Sequence, residues 1–383
     1  MPRALFIFGT RPEAIKLCPL VLRLRTEPFF EARVCVTGQH RGMLDQVLDT
    51  FGVYPDHDLN LMTAGQTLTQ STSRMLAALE PVIREEKPGL VIVQGDTTST
   101  FCGALAAFYQ GVPIAHVEAG LRTGDLRHPF PEEANRLLVA PLASLHFAAT
   151  ESAAQNLRDE NIDAASISVT GNTGIDAVLW VRDQLRVGKM PSPTLPGLDA
   201  TKRLIVVTAH RRENFGAGLE RICAALRQLA ARGDVQLIFP VHPNPNVRET
   251  VQRLLERQPN ILLSEPLDYV PFVDLMQRAH ILITDSGGVQ EEGPSLGKPI
   301  LVLREKTERP EAVAAGTVQL VGTDTQSIIH HAHRLLDSPA LYDAMARIHN
   351  PYGDGQACQR ITQKLREFFA GNGLQKLSAA AGS

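Results

Sequence analysis

Residues 284–292 read Thr284-Asp285-Ser286-Gly287-Gly288-Val289-Gln290-Glu291-Glu292, and they follow the apolar run His280-Ile281-Leu282-Ile283. The apolar run predicts a buried parallel strand, and Val289–Ser295 predicts the first turns of a helix. The first N–H groups of a helix have no partner within it, and the helix dipole favours negative charge there. Two glycines also let a bulky phosphate approach the backbone closely. The stretch therefore predicts an anion site at Gly287 and Gly288.

Glu292 lies about one helical turn beyond Gly288. A carboxylate in this place accepts hydrogen bonds from the two vicinal hydroxyls of a ribose, as acidic residues do in nucleotide sites. The alternative is a simple left-handed turn between strand and helix, with Glu291 and Glu292 exposed to solvent. The rest of the chain favours the nucleotide interpretation.

Length and composition limit the class of protein. The chain has 383 residues, which exceeds one ordinary hydrophobic core and favours two domains. Apolar residues make up 44% of the chain and charged residues 21%, as in globular proteins. The net charge of −3, without a basic block, argues against nucleic acid or an anionic membrane as a partner.

The cysteines and the chain ends bear on the cellular compartment. Five cysteines are scattered without CxxC spacing, which fits a reducing cytosol and argues against a disulfide framework or a zinc site. No apolar run is long enough to span a membrane, and the first strand ends too early for a signal peptide. We therefore expect a cytoplasmic protein without a metal, and a disordered tail at Ser378–Ser383.

Short apolar runs alternate with longer amphipathic ones along the chain. We expect strands at Ala4–Phe8, Ala32–Thr37, Leu90–Gln94, Pro113–Val117, Leu145–Ala149, Ile167–Thr170, Leu204–Val207, Val235–Pro240 and Ile300–Val302. We expect helices at Ala14–Arg25, Leu68–Glu85 and Thr98–Gln110, with a final helix near Ala357–Phe369. The alternation predicts an α/β fold of parallel sheets with helices on both faces, and ligands at the carboxyl ends of the strands.

A stretch rich in proline and glycine, roughly 186–201, predicts a surface connection between two domains. We expect an N-terminal Rossmann-like domain over 1–171 and a C-terminal one over 172–356. The helix over 357–375 is expected to pack back on the first domain.

Two basic residues follow the first predicted strand. Arg11 lies at the ligand edge of the sheet, where it contacts a phosphate or a sugar or caps a neighbouring loop. Lys16 is about one helical turn further on and is expected to face the same way. The chain has neither a P-loop nor a dinucleotide-binding glycine pattern at this point.

Asp96 and Glu118 each follow a predicted strand, and the two strands are consecutive. Carboxylates at one edge of a sheet are a plausible acid/base pair. The structural alternatives are an N-cap role for Asp96 on the helix at Thr98, and an ion pair of Glu118 with Arg122 or Arg127.

Three polar residues are ambiguous by residue type alone. Glu132 follows Pro131 at a predicted helix start, where an ordinary first-turn acidic residue is the simpler interpretation. Gln39 and His40 follow the second predicted strand. Polar residues in this position either bind a ligand or belong to a capped loop.

The second half of the chain offers three further candidates. His210 has two arginines beside it at a strand end, which suits a diphosphate; an ordinary surface histidine is the alternative. Phe272 ends a predicted loop that begins at Glu265, where it stacks beside a base or belongs to the core. Arg309 precedes Pro310, so it lies at a helix start near the two glycines.

These residues together resemble the non-hydrolysing UDP-N-acetylglucosamine 2-epimerases. The matching segments, which cover nearly the whole chain in order, are Gly9–Glu13, Gln39–Arg41, Gly95–Thr98, His116–Thr123, Pro131–Glu133, Thr208–Asn214, Asp285–Glu292, Thr307–Glu311 and Asn350–Gly355. The resemblance implies two Rossmann-like domains of the GT-B glycosyltransferase type, an active site in the cleft between them, and a homodimer.

The resemblance also implies roles for the candidate residues. The diphosphate is held by Ser286, Gly287 and Gly288 with His210 and Arg309 nearby, the ribose by Glu292, and the uracil by the loop from Leu267 to Phe272. The sugar is surrounded by Arg11, Lys16, Asp96, Glu118 and Glu132, and the implied catalytic residues are Asp96, Glu118, Glu132 and His210.

Some members of the family bind UDP-N-acetylglucosamine at a second, allosteric site, which Gln39 and His40 match. Gly42 and Gly65 depart from the pattern there.

The implied activity is reversible epimerisation at C2 of UDP-N-acetylglucosamine, without a cofactor, to supply N-acetylmannosamine-type sugars for cell-surface polysaccharide. The C2 hydrogen is not acidic, since no carbonyl occupies a neighbouring ring carbon. We therefore expect UDP to leave from C1 while a base takes the C2 proton, and then to re-add to 2-acetamidoglucal. The rival functions are a hydrolysing epimerase that releases UDP, a GT-B glycosyltransferase and a silent nucleotide-sugar sensor.

Overall fold

Two parallel β-sheets with helices packed on them organise the chain in the computed structural model, which describes residues 1–38, 41–63, 65–192 and 195–371. In chain order the strands of the described residues are β1 (Arg3–Phe8), β2 (Glu31–Val36), β3 (His57–Asp58), β4 (Leu90–Gln94), β5 (Ile114–Ala119), β6 (Leu145–Ala148), β7 (Ile167–Val169), β8 (Arg203–Thr208), β9 (Val235–Pro240), β10 (Ile261–Ser264), β11 (Ile281–Thr284), β12 (Ile300–Val302) and β13 (Val318–Leu320).

The α-helices of the described residues are α1 (Arg11–Arg25), α2 (Arg41–Phe51), α3 (Leu68–Glu86), α4 (Thr98–Tyr109), α5 (Glu132–Val139), α6 (Glu151–Asp159), α7 (Thr173–Arg186), α8 (Ala217–Ala230), α9 (Pro245–Leu255), α10 (Tyr269–Arg278), α11 (Gly287–Glu292), α12 (Pro310–Ala315), α13 (Thr325–Asp337), α14 (Pro339–Ala346) and α15 (Ala357–Ala370). The chain divides into two compact units. Unit 1 is Met1–Ala177 together with the segment from Gly353 onward, and unit 2 is Val178–Tyr352.

Unit 1 contains the sheet with the strand order β3-β2-β1-β4-β5-β6-β7, and its neighbouring strands pair in parallel. The side chains of β1 and β4 are almost wholly buried, as expected for strands covered on both faces. In the pairing of β4 with β5, Gln94 lies opposite Val117. The loops after these two strands therefore leave the same edge of the sheet side by side.

Unit 2 contains the sheet with the strand order β10-β9-β8-β11-β12-β13, again with parallel pairing. Its core is formed by the apolar faces of α8, α9 and α13 against β8, β9 and β11. Thr208, the last residue of β8, lies opposite Thr284, the last residue of β11. The loops after β8 and β11 are therefore neighbours.

The α/β fold expected from the sequence is confirmed, and most predicted strands and helices agree with the structure to within a few residues. The sequence analysis missed β3, β10 and β13, which are short, with two to four residues each. The prediction of a loop through Phe272 was wrong, because α10 begins at Tyr269. Gln39, His40 and the predicted tail at Ser378–Ser383 lie outside the described residues.

The last described helix, α15, packs on unit 1. The rings of Phe369 and Phe30 meet edge-on at 6.1 Å, and Arg366 forms an ion pair with Glu27 just after α1. Asp176, in the first turn of α7, accepts hydrogen bonds from the N–H groups of Ala357 and Cys358 at 3.1 and 2.9 Å. Asp176 therefore serves as an acceptor for the otherwise unpaired first N–H groups of α15.

No helix within the described part of the chain is long and apolar enough to cross a membrane.

Replacing Asp176 by alanine should destabilise unit 1 by about 1–2 kcal/mol, because two N–H groups at the start of α15 lose their acceptor. Urea unfolding followed by circular dichroism measures the change. Asp183→Ala, further along α7 at an exposed position, is the matched control and should change stability by less than about 0.5 kcal/mol. Equal effects of the two substitutions would show that Asp176 does not hold α15.

Candidate active site

The glycine turn after β11 forms the start of α11 in unit 2. Ser286 is the N-cap, and its N–H donates to Thr284 Oγ1 at 2.9 Å. The guanidinium of Arg309 lies directly over Gly287, since a Cβ built on that glycine would be 3.1 Å from Arg309 Cζ. Arg309 is held there by ion pairs with Glu291 and Glu308, at 2.8 and 3.0 Å. The structure thus places Arg309 beside the predicted anion site.

Asp285 fixes the neighbouring loop that carries His210. Its side chain is fully buried and accepts hydrogen bonds from the N–H groups of His210 and Arg211 at 2.9 and 2.8 Å, and from Asn214 Nδ2 at 3.0 Å. The Nδ1 atom of His210 is 3.2 Å from Asp285 Oδ1. Sequence reasoning quoted Asp285 but gave it no role. The sequence feature that could have assigned it a role is its position directly after a buried strand and outside an N-cap.

Burial lowers the pKa of His210, and the neighbouring Asp285 carboxylate opposes this effect. The imidazole is therefore neutral near pH 7, and its Nδ1 atom faces Asp285. A bound anion would favour uptake of a second proton, after which both ring nitrogens can donate.

Glu292 lies beside the start of α10. A Cβ on Gly288 would be 3.9 Å from Glu292 Oε1, and the charge of Glu292 adds to burial in raising the pKa of Tyr269. Leu267 and Phe272 flank Tyr269 in the chain, and both are half-buried. The predicted ribose and uracil residues are therefore near each other within unit 2.

Glu118 lies at an irregular point of β5. Its φ angle is +60°, and the register between β5 and β6 shifts between Val117 and Ala119. Such a bulge redirects the side chain, and a positive φ in a residue other than glycine is common at functional sites. Glu118 Oε2 accepts hydrogen bonds from Lys16 Nζ and from Gln94 Nε2, the latter at 2.8 Å.

The structural alternative for Glu118 was therefore wrong. Arg122 forms a two-point ion pair with Glu160, with both N–O distances at 2.7 Å, instead of pairing with Glu118. Lys16 and Glu118, which the sequence placed separately at the ligand edge, form one pair.

Asp96 does not cap α4, so that alternative was also wrong. The N-cap is Thr97, whose Oγ1 accepts from the N–H of Thr100 at 3.1 Å. Asp96 Oδ2 instead accepts from Arg136 Nε at 2.8 Å and forms an ion pair with Arg136 Nη2 at 2.6 Å. Asn135 Nδ2 donates to the carbonyl of Asp96 at 2.8 Å.

Arg136 is fixed in turn by Glu133, at 2.9 Å between Nη1 and Oε2. Glu133 is buried and also accepts from the N–H groups of Thr123 and Gly124. Burial works against the charge of Arg136, but Asp96 and Glu133 outweigh it and raise the pKa of the guanidinium. The sequence analysis took Glu133 as an ordinary first-turn acidic residue and gave Arg136 no role, although their spacing places them on one face of a helix.

Three other features complete this edge of unit 1. Glu13 is buried and accepts from the N–H groups of Gly9 and Thr10 and from Thr97 Oγ1, so it links the loops after β1 and β4. Arg11 is exposed next to it. Glu132 is half-buried and forms no ion pair or side-chain hydrogen bond with other described residues.

His116 supports the loop that carries Asp96. It is buried in β5, and its Nε2–H donates to the carbonyl of Gly95 at 2.7 Å. Burial lowers the pKa of His116 to about 3, so the ring is neutral at physiological pH.

The two units thus present different chemistry. Unit 2 brings a helix start, an arginine and a histidine to one place, which suits a diphosphate. Unit 1 brings two carboxylates, each paired with a cation, to one sheet edge together with Glu132. Gln39 and His40, the predicted allosteric residues, lie outside the described residues.

The chain is similar to known proteins of one enzyme family. The family model for UDP-N-acetylglucosamine 2-epimerase matches residues 22–366. The UDP-N-acetylglucosamine 2-epimerase of Escherichia coli K12 is 56% identical over 369 residues, which are 95% of this chain and 98% of the relative.

Two solved structures are also similar to the chain. The UDP-GlcNAc 2-epimerase of Neisseria meningitidis, bound to UDP-GlcNAc, aligns with a TM-score of 0.87 and 47% identity over 95% of this chain and 100% of the other. The glycotransferase of kitacinnamycin aligns with a TM-score of 0.63 at 12% identity over 94% and 98%, which shows a shared fold alone. The fold is therefore of the GT-B type.

Acid should destabilise the fold through His116. An unfolded histidine takes up a proton near pH 6.5, whereas the folded His116 does so only near its pKa of about 3, so stability falls as the pH drops below 6.5. The loss from this residue amounts to about 2 kcal/mol between pH 7 and pH 5. Urea unfolding at a series of pH values should give a flatter pH dependence for His116→Gln than for the wild type. Parallel curves for the two proteins would contradict the burial of a neutral ring.

Proposed function

This chain belongs to the UDP-N-acetylglucosamine 2-epimerase family, and we propose that it interconverts UDP-N-acetylglucosamine and UDP-N-acetylmannosamine with UDP still attached to the product. The observation that carries the proposal is the pair Asp96 and Glu118. Asp96 follows β4, Glu118 lies near the end of the adjacent strand β5, and each forms an ion pair with a cation. A nucleotide-sugar sensor does not require such a pair.

The reaction proceeds by elimination and re-addition. A carboxylate removes the C2 proton, the C2–H electron pair forms the C1–C2 double bond, and the C1–O electron pair leaves with UDP. This step gives 2-acetamidoglucal. UDP oxygen then attacks C1 again while an acid delivers a proton to the opposite face of C2, so atoms and electrons balance without a redox partner.

Residues of unit 2 stabilise the leaving diphosphate. Negative charge increases on the oxygen that departs from C1, and fixed donors stabilise it most when they are already in place before the bond breaks. The N–H groups at Gly287 and Gly288 and the guanidinium of Arg309 are the proposed donors, with His210 contributing Nε2 once it is protonated. Glu292 binds the ribose, and Leu267 and Phe272 contact the uracil.

Residues of unit 1 act on the sugar. Asp96, Glu118 and Glu132 are the proposed proton-transfer groups at C2, and Arg11 and Lys16 supply positive charge beside them. The proposed division assigns nucleotide binding to one unit and proton transfer to the other.

Epimerisation in D2O should place solvent deuterium at C2 of the product. The product takes its C2 hydrogen from a second acid on the opposite face, and that acid exchanges its proton with solvent. Proton NMR of UDP-N-acetylglucosamine with the enzyme follows the appearance of the manno epimer and the loss of its C2 proton signal. Phosphorus NMR of the same sample should show UDP attached, whereas a hydrolysing epimerase would release it. A manno product without deuterium would exclude the elimination route.

Asp96→Asn and Glu118→Gln should each lower turnover by on the order of 10²–10⁴-fold, because a proton-transfer group is lost. UDP affinity, measured by calorimetry, should stay near that of the wild type. Glu160→Gln, which breaks the ion pair with Arg122 in the same unit, is the control and should keep its turnover. Loss of UDP binding together with turnover would mark Asp96 and Glu118 as structural.

A further inference from the structure

We propose that Arg136 is a positioning residue that binds one oxygen of Asp96, so that the other oxygen, Oδ1, is the atom that removes the C2 proton. The inference rests on the proposed epimerase function and assigns the base within it. Arg136 itself does not react, and it acts only through Asp96.

The contacts of Asp96 are unequal at its two oxygens. Both the Nε and the Nη2 atoms of Arg136 approach Oδ2, at 2.8 and 2.6 Å. Within the described residues, no side chain donates to Oδ1. The Asp96 side chain is 25% exposed, whereas that of Arg136 is 9% exposed. A guanidinium on one side of the carboxylate therefore leaves a single oxygen available on the open side.

Several contacts fix the position of Arg136. Glu133, whose side chain is 1% exposed, binds Nη1 of the same guanidinium and also two backbone N–H groups of the loop at Thr123 and Gly124. Asn135, the residue before Arg136, holds the Asp96 carbonyl. The Asp96 side chain and main chain are thus both tied to α5, so its carboxylate has little freedom to rotate.

The guanidinium of Arg136 affects the chemistry of Asp96 as well as its orientation. A carboxylate must be ionised to accept the C2 proton, and a neighbouring guanidinium favours the ionised form. Glu118 has the same arrangement at one oxygen, with Lys16 and Gln94 on Oε2. Glu132, in contrast, forms no ion pair with another residue in the described part of unit 1.

The proton transfer follows from this arrangement. In one direction of the reaction, Asp96 Oδ1 takes the C2 proton while the C1–O bond to UDP breaks. In the other direction the same oxygen returns the proton to the same face of C2. The opposite face is served by a different acid, as inversion at C2 requires.

Three variants test the proposal: Arg136→Gln, Arg136→Lys and Arg136→Ala. For Arg136→Gln we expect kcat to fall on the order of 10²-fold, with a nearly unchanged KM. The acid limb of the kcat–pH profile should move to higher pH, because a carboxylate without its cation is easier to protonate. The isotope effect on kcat with substrate deuterated at C2 should increase, since proton removal becomes more rate-limiting.

Rescue separates positioning from folding. Arg136→Lys keeps a charge, so it should recover the pH profile in part. Guanidinium chloride at a non-denaturing millimolar concentration should restore activity to Arg136→Ala and not to Asp96→Asn. Arg122→Gln is the matched control, because Arg122 is 10% exposed and forms a two-point ion pair with Glu160, outside the proposed site. It should leave kcat, the pH profile and the isotope effect unchanged.

The outcomes are distinct. A wild-type enzyme that fails to epimerise UDP-N-acetylglucosamine overturns the proposed function itself. Normal wild-type epimerisation, with wild-type kcat, pH profile and isotope effect in Arg136→Gln, overturns the role of Arg136 alone. If Arg136→Gln does not fold, Arg136→Lys decides: its kcat should still fall, because one ammonium cannot make both contacts with Oδ2. A wild-type kcat and a wild-type isotope effect in that variant overturn the inference.

Discussion

A buried carboxylate that binds backbone N–H groups of a strand-end loop is the interaction on which the candidate residues of each unit depend. Asp285 does this in unit 2, where it holds His210 and Arg211, and Glu13 does it in unit 1, where it holds Gly9 and Thr10. Burying a charge is costly unless hydrogen bonds satisfy it, so each loop has one arrangement that provides enough donors. The groups proposed to meet the substrate are thus placed before it binds.

The residues that orient the site loops and side chains differ in burial from the residues proposed to contact the substrate. The holding groups Glu13, Glu133 and Asp285 are at most 1% exposed, whereas Asp96 and His210 are partly open at 25% and 36%. Preorganised groups stabilise a transition state without reorganising when the reaction occurs. A buried support also keeps water from competing for the hydrogen bonds that orient each reacting group, so the open side of Asp96 or His210 remains for the ligand.

Strand-end residues were predictable from the sequence, but their partners were not. Asp96, Glu118, His210 and the two glycines were found because continuous apolar runs mark parallel strands and ligands bind at their carboxyl ends. The pairs Arg136–Asp96 and Lys16–Glu118 join residues 40 and 102 positions apart, and only the folded sheet brings them together. Local signals also misled at Pro271: it was taken as part of a loop, yet proline is tolerated in the first turn of a helix such as α10.

Charge balance explains why each proposed proton-transfer pair includes a cation. The substrate carries a diphosphate, and the chain has a net charge of −3, so two bare carboxylates beside the sugar would repel it. The positive charges of Arg136 and Lys16 balance the negative charges of Asp96 and Glu118, and both carboxylates stay ionised. The cation reduces the repulsion between the carboxylate and the anionic substrate. A proton on the carboxylate would also reduce it, but the carboxylate could then no longer act as a base.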